Sequence, residues 1–283
     1  MFSFPIPVVA GPIEGRMGPG SQPAEELPLN MLGVPSDMHT FRPPIIDSEA
    51  APEVYRAALD VLRHVLAGLE TLTGETAQTF RMSMRGLDPA VLKEANEMLG
   101  QGEVSVLADG LNAQETTFTG IWRVRSEGID ELEAGPFPTA LRQLAAARRM
   151  PAAGVDVPPA NLMNAPALLA EIRDASARCR PGDAAHVINL SLLPVTPEDT
   201  DYLDAVLGRG GLSVLSRGFG NCRITATAYP NVWWVQYFNS MEKLILNSVE
   251  VVDVPAVALA AAEDFADSRV RLAEWIESLA SAL

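Results

Sequence analysis

The sequence has few of the side chains that usually perform redox and metal chemistry. Its 283 residues include two cysteines, Cys179 and Cys222, and three histidines, His39, His64 and His186. Neither a C-x-x-C pair nor the close spacing of Cys and His ligands in zinc sites occurs. The sequence therefore predicts no resident metal or cofactor, and it favours a reducing compartment. A single disulfide between Cys179 and Cys222 is left as an alternative.

Positive charge and long apolar runs are also scarce. The chain has 21 Lys and Arg against 36 Asp and Glu, a formal net charge of −15. This balance disfavours nucleic acids and anionic membranes, and is compatible with simple solubility or with a basic partner. No apolar run reaches the roughly 18–20 residues of a membrane span, and the start lacks the features of a signal peptide. We expect a cytoplasmic protein without direct membrane insertion.

Motifs of nucleotide binding and hydrolysis are missing. The pairs Gly100-x-Gly102 and Gly208-x-Gly210 follow a predicted helix and precede a predicted strand, the reverse of a phosphate-binding loop. These glycines are therefore predicted to end helices and form tight turns. No G-x-S-x-G or H-E-x-x-H sequence occurs, and a Cys222/His186 nucleophile–base pair has no support beyond the residue types. The sequence predicts a protein that is not an enzyme.

A repeated stretch is the strongest positive feature. Residues 99–110 read LGQGEVSVLADG and residues 207–218 read LGRGGLSVLSRG, 108 positions later. The helix starts Asp88-Pro89 and Thr196-Pro197 keep the same offset. A repeat of this length indicates a duplicated domain rather than a solenoid. The predicted fold class is α+β, with two tandem copies of a helix–strand–helix–meander unit and mainly antiparallel sheets.

Three regions are predicted along the chain. Residues 1–47 hold nine of the 22 prolines and are predicted to form an extended arm that lies on the body, on a second subunit or on a client. The first repeat spans residues 48–150 and the second spans 151–283. In the first repeat, one or two strands are expected over Thr116–Arg125, with a turn near Gly120, and residues 126–165 are expected to be a linker zone with a helical piece over Thr139–Arg149. A final helix is expected from Pro255 to Leu283.

The repeats diverge after Gly218, where the second becomes aromatic. In a predicted strand over 232–238, Trp233 and Tyr237 alternate with Trp234 and Phe238, so both faces are bulky. Either both faces are covered within the protein, or one is an exposed interaction patch. The candidate partner-binding residues are Phe219, Asn221, Cys222, Arg223, Trp233, Trp234, Gln236, Tyr237, Phe238 and Asn239.

The same segment carries a family resemblance. The stretches GNCRIT at 220–225, VWWVQYFNSM at 232–241, LILN at 244–247 and VEVVDVP at 249–255 resemble the HupH/HyaF/HoxQ family of hydrogenase expression/formation proteins. The early GPGSQP at 18–23 and TFRPP at 40–44 fit as well. The resemblance implies an accessory role in the maturation of uptake-type [NiFe] hydrogenase. It further implies action on the iron–sulfur small subunit before export, together with a thioredoxin-like companion of the HyaE/HoxO kind.

The resulting hypothesis is a maturation chaperone that masks an unfinished surface of the small-subunit precursor. No catalytic residues carry over from the family. Two alternatives remain: a redox or cluster-handling helper that uses Cys222, and a structural subunit of a larger maturation complex.

Overall fold

The chain forms an α+β protein with a large antiparallel sheet. In this computed structural model, the structure describes residues 50–72, 79–148, 159, 161–218 and 221–281. The predicted proline-rich arm, residues 1–47, lies outside the described residues. The helices within the described part are α1 (Pro52–Glu70), α2 (Pro89–Leu99), α3 (Thr139–Ala146), α4 (Ala165–Arg178), α5 (Pro197–Leu207) and α6 (Ala262–Ser281).

Ten strands in the described residues belong to one sheet. They are β1 (Phe80–Ser83), β2 (Val104–Ala108), β3 (Leu111–Glu115), β4 (Ile121–Ser126), β5 (Asp130–Ala134), β6 (His186–Asn189), β7 (Leu212–Ser216), β8 (Asn221–Ala226), β9 (Val232–Phe238) and β10 (Leu244–Val251). Their order across the sheet is β1-β5-β4-β3-β2-β7-β8-β9-β10-β6. From the centre outward, each side has four meander strands in chain order, β2 to β5 on one side and β7 to β10 on the other. The strand that precedes each meander in the chain, β1 or β6, lies at the edge of the sheet.

The antiparallel pair β2–β7 joins the two sides of the sheet. Val106 lies opposite Val214, Val104 opposite Ser216, and Ala108 opposite Leu212. Val106 and Val214 are also equivalent positions of the sequence repeat. The predicted domain boundaries remain predictions, because the residues on either side of position 150 lie outside the described part.

Each face of the sheet has its own apolar core. On one face, here called the shared face, residues from both sides of the sheet pack together under α3 and a short 3-10 turn, Ala256–Ala258. These include Val106, Trp122, Val214 and Trp233. On the other face, here called the helical face, α1, α2 and α6 cover one side, and α4 and α5 cover the other.

The repeated glycine motif ends helices, as predicted. Gly100 and Gly208 have φ of 62° and 61°, in the left-handed region that favours glycine. The second glycines permit a close backbone approach: a Cβ at Gly102 would lie 2.2 Å from the Thr116 carbonyl oxygen. A Cβ at Gly210 would lie 2.1 Å from that of Thr227. The motif therefore serves the turn from helix to strand.

Three predicted boundaries were wrong. Residues 116–119 are not a strand but lead to the predicted turn at Gly120, whose φ is 83°, and β5 lies in the zone predicted as a linker. Strands β3 (LNAQE) and β5 (DELEA) lack the β-branched residues that mark strands, so pairing with their neighbours decides their structure. The predicted C-terminal helix is preceded by the 3-10 turn at Ala256–Ala258, and α6 begins at Ala262.

Asp199 ties the start of α4 to the start of α5. Its buried carboxylate accepts hydrogen bonds from the backbone N–H groups of Met163, Asn164, Ala165 and Thr196. Burial alone would raise the pKa of this carboxyl, but these hydrogen bonds lower it below its ordinary value. One carboxylate thus satisfies the free donors of two helix termini.

We expect Asp199→Ala to lower the free energy of unfolding by about 2–3 kcal/mol, because several buried N–H groups lose their acceptor. Asp88→Ala is the matched control: Asp88 caps α2 through one exposed bond to Ala90 N, so a loss of about 1 kcal/mol is expected. Urea unfolding measures both. Equal losses would contradict the special role of Asp199.

A second buried carboxylate lies under the β3–β4 connection, which α6 clamps. Glu115 Oε1 accepts a hydrogen bond from Gly120 N at 2.9 Å, and Ser268 of α6 donates to the Thr119 carbonyl oxygen. A Cβ at Gly120 would lie 2.6 Å from the Phe265 ring. The pKa of Glu115 is raised to about 7, mainly by burial. The Gly120 hydrogen bond opposes this rise, and the negative charges of Asp264 and Glu103 add to it.

This shift predicts a pH-dependent stability. The folded protein keeps the Glu115 proton up to about pH 7, whereas the unfolded chain releases it near pH 4.5. Stability is therefore lost as the pH rises from about 4.5 to about 7, by on the order of 3 kcal/mol. Urea unfolding at pH 5 and pH 8 should show this loss in the native protein and a smaller one in Glu115→Gln. Glu277→Gln, at an exposed position on α6, is the control, and equal pH dependence in both variants would contradict the assignment.

Candidate functional site

The aromatic strand β9 is covered on both faces. Trp233 and Val235 lie in the core of the shared face, and the Trp233 indole N–H donates to the Val252 carbonyl oxygen at 3.0 Å. Trp234 lies in the core under α4 and α5. The exposed-patch hypothesis for β9 was therefore wrong, and the alternative, a sheet covered on both faces, is confirmed.

The candidate residues divide by burial. Cys222, Trp233, Trp234, Gln236 and Phe238 are buried, whereas Asn221, Arg223, Tyr237 and Asn239 are half-buried. Phe219 lies outside the described residues. Replacing a buried tryptophan by alanine costs about 3–5 kcal/mol of stability, so such variants would report on folding rather than on binding.

Three of the four half-buried candidates, Asn221, Arg223 and Asn239, converge on the turn between β9 and β10. Arg223 pairs with Glu242, Nη2 to Oε2 at 2.5 Å, and its guanidinium lies 4.3 Å from the centroid of the Phe238 ring. Asn221 donates to Glu242 Oε1 at 2.8 Å. Asn239 Oδ1 accepts from the backbone N–H groups of two residues of the turn, at 2.9 Å each. These contacts tie the turn to β8 and close it through Asn239.

The turn and the start of β10 present apolar side chains to solvent. Met241 is 80% exposed and Ile245 is 61% exposed. We call this region the hairpin surface, formed by Asn221, Arg223, Asn239, Met241 and Ile245. Exposed apolar residues grouped in this way often mark interaction sites.

Sequence reasoning missed a neighbouring pair of exposed leucines. Leu192 is 81% exposed and lies, with Leu193, between β6 and α5. Ser191 connects this segment to β10, since its backbone N–H donates to the Asn247 carbonyl oxygen and its hydroxyl accepts from Asn247 N at 2.8 Å. The available signal was two successive leucines in a segment that ends at a proline.

Cys222 is buried on the shared face beside Tyr237. Burial raises the pKa of its thiol to about 12, only partly offset by the hydrogen bond with Tyr237. The pKa of Tyr237 is raised to about 12, first by burial. Because the thiolate is the reactive form of cysteine, this thiol is poorly suited to nucleophilic or redox chemistry at neutral pH. Cys179 is half-buried, and both cysteines are free thiols.

No group of three or more His, Cys, Asp or Glu side chains is arranged to hold a metal ion in the part of the chain that the structure covers. Within that same part, none of the helices has the length and apolar character of a membrane span.

Comparison with known proteins identifies the family. Residues 162–279 match the family described as HupH hydrogenase expression protein, C-terminal conserved region. The chain is 40% identical to the hydrogenase expression/formation protein HoxQ of Cupriavidus necator, covering 99% of this chain and 100% of that one. It is 43% identical to HupH of Rhodobacter capsulatus over 93% and 95% of the two chains. It is 33% identical to the hydrogenase-1 operon protein HyaF of Escherichia coli, over 94% and 96%.

The chain therefore belongs to the HupH/HyaF/HoxQ family, as the sequence motifs predicted.

The burial of Cys222 predicts its chemical protection. On treatment of the native protein with iodoacetamide at pH 8, Cys179 should be alkylated first, and Cys222 should react only after unfolding in urea. Peptide mass spectrometry distinguishes the two positions. Rapid alkylation of Cys222 in the native protein, with the unfolding transition unchanged, would contradict this prediction.

Proposed function

We propose that this protein is an accessory factor in hydrogenase maturation. The observation that carries the proposal is the similarity over nearly the whole chain to proteins named hydrogenase expression/formation proteins, at 40% identity over 99% of the residues in one case. Similarity that extends over both sides of the sheet supports a shared role for the whole protein, beyond the C-terminal region alone.

In more detail, we propose a non-catalytic chaperone. It binds the iron–sulfur small-subunit precursor of an uptake-type [NiFe] hydrogenase in the cytoplasm before export, with a thioredoxin-like companion of the HyaE/HoxO kind. The hairpin surface supports a binding role, because Glu242 anchors the turn to β8 beside exposed Met241, and because Ile245 is exposed at the start of β10. A preformed apolar surface binds a partner with a smaller ordering cost than a mobile one.

The redox alternative depends on Cys222 and is less well supported. A thiol with a pKa of about 12 carries little thiolate at neutral pH. We expect Cys222→Ser to retain hydrogenase maturation.

The third alternative, a structural subunit of a maturation complex, is tested by size-exclusion chromatography with and without the companion.

We also propose that the two sides of the sheet are copies of one unit that arose by duplication. The equal strand order and the pairing of Val106 with Val214 across β2–β7 support this. The hydrogen bonds of Trp122 and Trp233 also correspond. Trp122 donates its indole N–H to the Gly135 carbonyl oxygen and Trp233 to that of Val252, and each acceptor directly follows the last strand of its meander.

The chaperone proposal is tested by changing the hairpin surface without changing the core. We expect Met241→Asp combined with Ile245→Asp to reduce capture of the small-subunit precursor at least tenfold in a pull-down from cells that express the hydrogenase. Both side chains are solvent-exposed, so the free energy of unfolding should change by less than about 0.5 kcal/mol for each.

Val270→Asp is the matched control, because Val270 is 53% exposed on α6 and lies outside the hairpin surface. It should capture the precursor as the native protein does. If the double variant stays folded and captures as well as the control, the hairpin surface is not the contact. If the native protein itself captures no small subunit, the proposed client is wrong.

A further inference from the structure

Two glutamates occupy the same place on opposite sides of the sheet. Glu133 on β5 lies between Trp122 of β4 and Arg81 of the edge strand β1. Glu250 on β10 lies between Trp233 of β9 and Val187 of the edge strand β6. Both carboxylates therefore lie on the shared face, each beside a buried indole. The two positions differ in the edge strand, which has Arg81 opposite Glu133 and Val187 opposite Glu250.

On the first side, the protein partly compensates the carboxylate itself. Glu133 is fully buried, and one of its oxygens accepts hydrogen bonds from the backbone N–H of Thr139, at 2.8 Å, and from its hydroxyl. Burial raises the pKa of this carboxyl, and the Thr139 bonds and the positive charge of Arg81 on the edge strand oppose that rise. Such partners lower the cost of burying a carboxylate.

On the second side, compensation is missing. Val187 stands where β1 has Arg81, and it is 54% exposed. Among the described residues, no hydrogen bond or ion pair involves the half-buried Glu250 carboxylate, whose pKa burial raises. The neighbouring Cys222 thiol and Tyr237 hydroxyl are uncharged at neutral pH. The Arg148 guanidinium lies 4.9 Å from the centroid of the Trp233 ring and donates to the Thr227 carbonyl oxygen, and no ion pair joins it to Glu250 among the described residues. The Ser248 hydroxyl donates to the Val235 carbonyl oxygen.

Within the described residues, this position also lies at the edge of the sheet. β6 is the last strand of the described sheet, so its outer backbone groups face away from β10. An added extended segment would place alternate side chains on the shared face, next to Val187. A long basic side chain on that segment could lie along Val187 with its charged end at Glu250.

We propose that Val187, Tyr237 and Glu250 form a docking surface for a basic extended segment of a partner protein, with an arginine guanidinium of that segment paired to Glu250. The guanidinium takes the role toward Glu250 that Arg81 has toward Glu133. The net charge of −15 favours approach of a basic partner. The inference does not depend on which protein supplies the segment, and it concerns a different surface from the hairpin surface.

The test titrates the full-length ¹⁵N-labelled protein with the peptide acetyl-Val-Arg-Val-amide and follows backbone amide resonances. The matched probe is acetyl-Val-citrulline-Val-amide, which has the shape of the arginine peptide without its charge. We expect the arginine peptide to shift resonances of β6 and β10, and to bind at least tenfold more tightly than the citrulline peptide.

Two variants locate the effect. Glu250→Gln should abolish the preference for the arginine peptide. Val187→Arg places on β6 the residue that β1 has at the same position. It should abolish binding of the arginine peptide and lower the pKa of the Glu250 carboxyl, measured by ¹³C NMR, with the fold retained.

Three results would overturn the proposal. The first is equal binding of the two peptides, and the second is an unchanged arginine preference in Glu250→Gln. The third concerns the Arg16→Gln/Arg42→Gln variant without peptide. If its Glu250 carboxyl resonance is shifted from that of the native protein, the occupant is the chain's own N-terminal region rather than a partner. Because the test uses the isolated protein, its failure is distinct from failure of small-subunit capture.

Discussion

The pairing of β2 with β7 is the contact on which the rest of the structure depends. These two short strands join the two meanders into one sheet, with Val106 opposite Val214 at the centre. Because both valines point to the shared face, the junction is also the centre of an apolar core to which both meanders contribute. A sheet split at this point would expose two strand edges and both halves of that core, which is unfavourable in water.

The helices and buried carboxylates stabilise this sheet in different ways on its two sides. α6 packs against α1 and clamps the β3–β4 connection above Glu115 on the first side. On the second side, Asp199 holds the starts of α4 and α5 together. The sheet order is the same on both sides, while the polar groups that secure the covering helices differ. The two sides thus differ in the polar groups that hold their helices, and agree in how their strands pair.

Much of this architecture could be predicted from the sequence, because local chemistry determines it. Asp88 and Thr196 cap their helices through their own side chains, and Gly100 and Gly208 end them through backbone conformation. The environments of Trp233 and Trp234 could not be predicted in the same way. Both faces of β9 are apolar, and only the positions of α4, α5 and α3, which are far away in sequence, decide that both are covered.

The same reasoning explains why the candidate site moved from β9 to its surroundings. Strand alternation correctly separated Trp233 from Trp234, but an aromatic side chain has the same pattern in a core as at an interface. What distinguishes the two is the state of the neighbouring polar groups. Glu133 has Thr139 as its hydrogen-bond partner and Arg81 opposite it on the edge strand, whereas Glu250, also beside an indole, has no hydrogen bond or ion pair among the described residues. A half-buried carboxylate with no partner in the chain does not stabilise the fold by pairing, so its position next to an exposed valine on an edge strand agrees with the proposed binding role.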